Sequence, residues 1–123
     1  MVMNEVFVYG TLKRNEGNND LLKDSKFLGE YETDPRWGLV DLGAFPGMIP
    51  ANKAVKGEVF LVDDNVMDAL DLLEGVDHGL YRRSRIYINC PVSKDRREVW
   101  AYIYWGGIIM TTKDSDTTAE WSR

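Results

Sequence analysis

Val6-Phe7-Val8-Tyr9-Gly10-Thr11-Leu12-Lys13-Arg14 is a β-branched and aromatic run that enters a glycine turn beside a hydroxyl residue. Residues Glu5 to Tyr9 have the composition of a core strand. Gly10 permits a backbone turn where a Cβ would crowd it. Such a turn presents the N–H groups of Gly10, Thr11 and Leu12 together, and consecutive amides of this kind can cradle a carboxylate or an oxyanion without a charged side chain. From these residues alone, an ordinary strand end remains an equal alternative.

The rest of the chain supplies partners for that strand. Lys26 to Thr33 reads as a strand, and after the Asp34-Pro35 turn Trp37 to Leu42 reads as another. Residues 43 to 52 hold two glycines and two prolines around Phe45, Met48 and Ile49, so they predict a loop that folds back over something apolar. Val55 to Val62 is a further strand, with Glu58 as a carboxylate that is either exposed at an edge, paired with an arginine, or catalytic. Tyr81 to Asn89 and Val99 to Trp105 close the set, joined through Ser93-Lys94-Asp95. A short helix is expected around Asn19 to Lys23.

One longer helix is clear. Asp63-Asp64 offers an N-cap, Asn65 to Glu74 carries helical periodicity, and Gly75 can end it. Val66, Leu70 and Leu73 define the expected buried stripe, with Asp68 and Asp71 outside it. Glu74 lies four residues after Leu70 and seven after Met67, so it projects along the apolar edge. Burial there, together with the negative end of the helix dipole, should raise its pKa above the usual glutamate range, as a base working near neutral pH requires. The competing reading is a glutamate that reaches solvent or pairs with Arg82 or Arg83.

These elements predict an α+β fold: a small mixed, partly closed, barrel-like β-sheet of about six strands, with one main helix and a short second helix outside it. A single domain over residues 1–110 is expected, followed by a polar tail over 111–123 that Trp121 either anchors or leaves free.

Composition narrows the function. With 20 acidic against 15 basic residues the net charge is −5, and the basic residues are scattered, which argues against a nucleic-acid partner. No run of 18 apolar residues suggests a membrane span, and a single cysteine, Cys90, fits a reducing cytoplasmic setting. His78 is the only histidine, which excludes His-rich zinc sites and leaves carboxylates to do acid–base work. A Cys90–His78 nucleophilic pair stands as a remote alternative, since neither residue sits in a nucleophile motif.

The chain resembles the γ-glutamylcyclotransferase-like superfamily, in its γ-glutamylamine cyclotransferase and AIG2-like branch. Five ordered pieces carry the likeness: VFVYGTLKRN at 6 to 15, FPGMIP at 45 to 50, VKGEVFLVD at 55 to 63, LDLLEG at 70 to 75 and LYRR at 80 to 83. The resemblance implies the same small barrel and an intramolecular aminolysis: the free α-amine of a γ-glutamyl group attacks its own γ-carbonyl, giving 5-oxoproline and an amine. It implies Glu74 as the catalytic residue and Tyr9, Gly10, Thr11, Leu12 and Tyr81 as substrate-binding residues, with no cofactor and no metal; Tyr81 has two further readings, orienting Glu74 or sitting in the core with its hydroxyl at the rim. Arg83, on the strand face of Tyr81, is expected to pair with Glu58, with a contact to the substrate as the alternative. The partner is then a small γ-glutamyl substrate. Three activities fit: a γ-glutamylamine cyclotransferase, a biosynthetic enzyme removing a γ-glutamyl protecting group, or a non-catalytic binding module of the same fold.

Overall fold

The computed structural model describes residues 2–10, 12–14, 16, 19–43, 45–104 and 117–121. Among these, strands β1 (Met3–Val8), β2 (Lys26–Thr33), β3 (Trp37–Asp41), β4 (Pro46–Pro50), β5 (Lys56–Asp63), β6 (Tyr81–Asn89) and β7 (Arg96–Tyr104) accompany one α-helix, α1 (Asp64–Leu73). Short 3-10 turns occupy Asn19–Leu22 and Val76–His78. Five strands close a barrel in the order β1-β5-β2-β6-β7, and β3 with β4 forms a separate two-stranded sheet. The barrel is mixed: β1 meets β7 in parallel at Val6 and Trp100, and its other pairings are antiparallel.

β1 explains its own composition. Phe7 and Tyr9 belong to a cluster drawn from all five barrel strands, with Val59 of β5, Tyr31 of β2, Ile86 and Ile88 of β6 and Val99, Ala101 and Ile103 of β7. Val6 and Val8 point the other way, into a second cluster with Phe60, Val62, Met67 and Leu70. A strand buried on both faces needs a continuous apolar run rather than alternation, and Val6, Phe7 and Val8 are all at most 2% exposed.

The second cluster seats α1. Asp63 caps it, its carboxylate accepting from the Val66 amide at 2.9 Å. Gly75, at φ 64°, takes the left-handed position that ends it. Asp63→Ala is expected to lower stability by about 1 kcal/mol, read as a shifted urea midpoint at unchanged slope; an unmoved midpoint would mean the cap is replaced by water. The buried residues of the helix are Met67 and Leu70. Leu73, expected in the stripe, is 43% exposed instead, because the helix ends there and its last turn overhangs an opening in the wall.

Two further expectations are corrected, and the open alternative at Trp121 resolves to the anchored one. Residues 43 to 52 are not simply a loop: Pro46–Pro50 pairs with β3 from Trp37↔Pro50 to Asp41↔Pro46, and Pro46 through Ile49 are buried. Prolines at both strand ends masked this, since each removes only a terminal ladder donor. Of the expected tail, residues 117–121 are described, and they pack into the fold: Thr118 bridges Leu39, Ala119 accepts from the Lys56 amide, and Thr117 and Trp121 are buried. Local polarity in that segment does not report the apolar surface that Trp121 covers. Lastly, β7 begins at Arg96, earlier than its apolar part, because Arg96 and Arg97 bind Asp34, Glu5 and Asp95 across the sheet surface.

No helix among the described residues is long and apolar enough to cross a membrane. Cys90 and His78 flank opposite ends of β6, roughly 25 Å of strand apart, so they form no catalytic pair.

Candidate active site

A cavity of about 220 Å³ opens where the end of β1, the start of β4, the end of α1 and the start of β6 meet. Tyr9, Gly10, Leu12, Glu74 and Tyr81 all line it, drawn together from two distant parts of the chain. Thr11 lies outside the described residues.

Each wall has a local cause. Gly10 is present for close approach rather than for unusual φ: a Cβ there would stand 2.7 and 2.8 Å from the Pro46 ring. The Lys13 amide donates to the Gly10 carbonyl at 3.1 Å and closes the turn. Beyond it, buried Glu58 accepts from the Arg14 amide at 2.7 Å and from Arg14 Nε at 3.2 Å, while the Arg14 guanidinium lies 3.8 Å over the Phe27 ring. Glu58 therefore clamps the chain that leaves the turn. Its partner is Arg14 and not Arg83, as expected from the sequence, because β5 pairs with β1 and β2 and does not neighbour β6.

Arg83 pairs instead with Asp71 of α1 at 3.1 Å. The other Asp71 oxygen accepts from the Tyr102 hydroxyl at 2.7 Å. Arg83 and Tyr102 are cross-strand partners, so one carboxylate ties the helix to both strands three residues before Glu74. Sequence reasoning passed over Asp71 as a solvent-side residue; its i−3 spacing from Glu74 was the available signal.

Tyr81 and Tyr9 spend their hydroxyl protons on backbone. Tyr81 donates to the Pro46 carbonyl at 2.7 Å, and Tyr9 donates to the Tyr102 carbonyl at 2.6 Å while accepting from the Met48 amide at 3.2 Å. Tyr81 packs edge-on against Tyr104 with centroids 5.5 Å apart. Burial is the main cause that raises the phenol pKa of Tyr9, Tyr81 and Tyr102 above 10, and the nearby Glu74 charge adds to each. These phenols stay neutral at physiological pH.

Glu74 is the electrostatic exception. Burial pushes its carboxyl from the ordinary 4.5 up to about 7. It is the only acidic or basic residue among the described residues lining the cavity. A lone carboxyl that exchanges its proton near neutrality, inside an otherwise neutral cavity, is suited to general acid–base chemistry.

The profile of the family described as "Gamma-glutamyl cyclotransferase, AIG2-like" matches residues 6–123. The chain belongs to this family. A Vibrio cholerae serotype O1 relative named "Putative gamma-glutamylcyclotransferase" is 44% identical over 99 residues, covering 80% of each chain. The "Gamma-L-glutamyl-butirosin B gamma-glutamyl cyclotransferase" of Niallia circulans is 30% identical over 122 residues, covering 93% of this chain and 75% of that one. Among solved structures, an AIG2-like protein from Mus musculus superposes with a TM-score of 0.80 at 21% identity, covering 100% of this chain and 98% of that one. The last likeness bears on the fold alone. In this AIG2-like cyclotransferase-family chain, the five resemblance pieces fall on β1 and its turn, β4, β5, the end of α1 and the start of β6. All but the β5 piece contribute residues to the cavity.

Proposed function

We propose that this chain is a γ-glutamylamine cyclotransferase that releases 5-oxoproline and a free amine by intramolecular aminolysis, with Glu74 as its proton shuttle. The observation that carries the reading is the Glu74 carboxyl, held near neutral pKa in a cavity beside the Gly10 turn. Family membership supports the reaction class.

In the reaction, the Glu74 carboxylate takes a proton from the α-ammonium and frees the lone pair that attacks the γ-carbonyl. The new C–N bond closes a five-membered lactam as the old one breaks. Of the three ammonium protons, one stays on the lactam nitrogen and two end on the departing amine, which leaves as an ammonium ion. Nucleophile and electrophile are already tethered, so binding need only hold a near-attack conformer. The turn at Gly10 and Leu12 lines the cavity, and in this reading its amides receive the α-carboxylate or the developing oxyanion. Tyr81 shapes the opposite wall, its hydroxyl already donating a hydrogen bond to the Pro46 carbonyl. Neither metal nor cofactor enters any step, so EDTA is expected to leave turnover unchanged.

The test is an assay for 5-oxoproline across a panel of γ-glutamyl amines. Release of glutamate in place of 5-oxoproline would refute the mechanism in favour of hydrolysis. A pH profile adds a second constraint. As a base, Glu74 works deprotonated, so kcat/KM should fall tenfold per pH unit below about 7. An acid limb near 4.5, the ordinary value, would remove Glu74 from the proton transfer.

A further inference from the structure

Three of the exposed large apolar side chains converge on the rim of the one cavity that holds Glu74. Phe45 comes from the β3–β4 connection, Leu73 from the last turn of α1 and Leu80 from the approach to β6; they are 38%, 43% and 37% exposed. The residues behind them, Val8, Tyr81 and Tyr102, are at most 3% exposed. The cavity thus has a deep end made by the strands and an apolar mouth made by three loops and ends. A γ-glutamyl group with its α-carboxylate at the Gly10 turn and its γ-carbonyl at Glu74 would direct the amine half of the substrate toward the mouth.

Charge at the mouth points the same way. Among the described lining residues Glu74 is the only ionisable acid or base, apart from tyrosines held neutral by burial. Among the described lining residues an ammonium carried on the amine half would find no carboxylate except the one engaged in proton transfer, and would be placed against Phe45, Leu73 and Leu80 at a desolvation cost. Apolar carbons there gain instead.

We infer that the enzyme selects γ-glutamyl amides of uncharged, apolar amines, such as alkylamines and arylalkylamines, through contacts of Phe45, Leu73 and Leu80 with the leaving half. This rests on the cyclotransferase reading and names its substrate class. Because the three side chains belong to exposed positions on separate segments, selectivity can be altered there without entering the core.

The test compares kcat/KM for 5-oxoproline release from γ-glutamyl methylamide, γ-glutamyl n-pentylamide and γ-glutamyl putrescine, the last two equal in length and differing in one terminal ammonium. The expected result is a gain of about threefold per added methylene from methyl to pentyl, and a pentylamide rate at least about tenfold above that of the putrescine amide. Phe45→Ser and Leu80→Ser should each reduce the pentyl-to-putrescine ratio by about threefold or more, with unchanged circular dichroism. Equal rates across the series, or a preference for the putrescine amide, would overturn the inference and leave the cyclotransferase reading standing. Absence of 5-oxoproline from every member would overturn both.

Discussion

Glu74→Gln is expected to lower kcat/KM near neutral pH by a hundredfold or more while the fold persists. The amide keeps the shape of the carboxyl and removes its ability to take and return a proton, a loss that normally costs at least two orders of magnitude. Activity within about tenfold of the parent chain would refute the assignment. The same substitution carries a stability signature of opposite sign. Glu74 has a folded pKa of about 7 against an ordinary 4.5, so between those values the folded chain binds a proton that the unfolded chain releases. Its contribution to stability is fully present below about 4.5 and is lost as pH rises through about 7. The displacement corresponds to about 3 kcal/mol at mildly alkaline pH. Glu74→Gln should therefore stabilise the protein relative to the parent above pH ~7, with the difference shrinking toward acid. Groups such as Asp34, held low chiefly by its hydrogen bond from Arg96, act in the reverse direction in both proteins and cancel in the comparison. A difference in Tm that does not change with pH would mean the carboxyl is effectively in water.

Gly10→Val should weaken binding of 5-oxoproline by about tenfold or more while leaving the far-ultraviolet circular dichroism spectrum largely unchanged. The first atom of any side chain at position 10 would stand under 3 Å from the Pro46 ring, and the Pro46 carbonyl is the acceptor for the Tyr81 hydroxyl. Relief requires the turn and β4 to move apart, which alters two walls of the cavity in one step. The cost to stability should be about 1–3 kcal/mol, as for other overpacked sites. Calorimetric affinity equal to that of the parent would show that the turn takes no part in the ligand site.

Much of the site was legible because its determinants are local. Glu74 could be placed on the protein-facing side of its helix from Met67, Leu70 and Gly75, since helical spacing and a left-handed terminator act over a few residues. β1 and the Gly10 turn were legible for the same reason. The β3–β4 connection was half legible: its apolar residues had to be covered, and they are, but the pairing of Pro46–Pro50 with β3 depends on a partner strand and not on its own composition.

The sequence by itself determined α1 and every strand except β4, the cap at Asp63, the stop at Gly75 and the orientation of Glu74, all set by periodicity and backbone preference at short range. Only the tertiary structure decided that the barrel closes through Val6 and Trp100, that Glu58 holds Arg14 while Asp71 holds Arg83 and Tyr102, and that the Tyr81 hydroxyl donates to the Pro46 carbonyl. These partners are separated by a dozen residues or more, and several chemically equivalent pairings are open to each. Strand order and register choose among them. The upward direction of the Glu74 pKa followed from its place on the helix, but its size is set by how much protein the finished fold puts around one carboxyl.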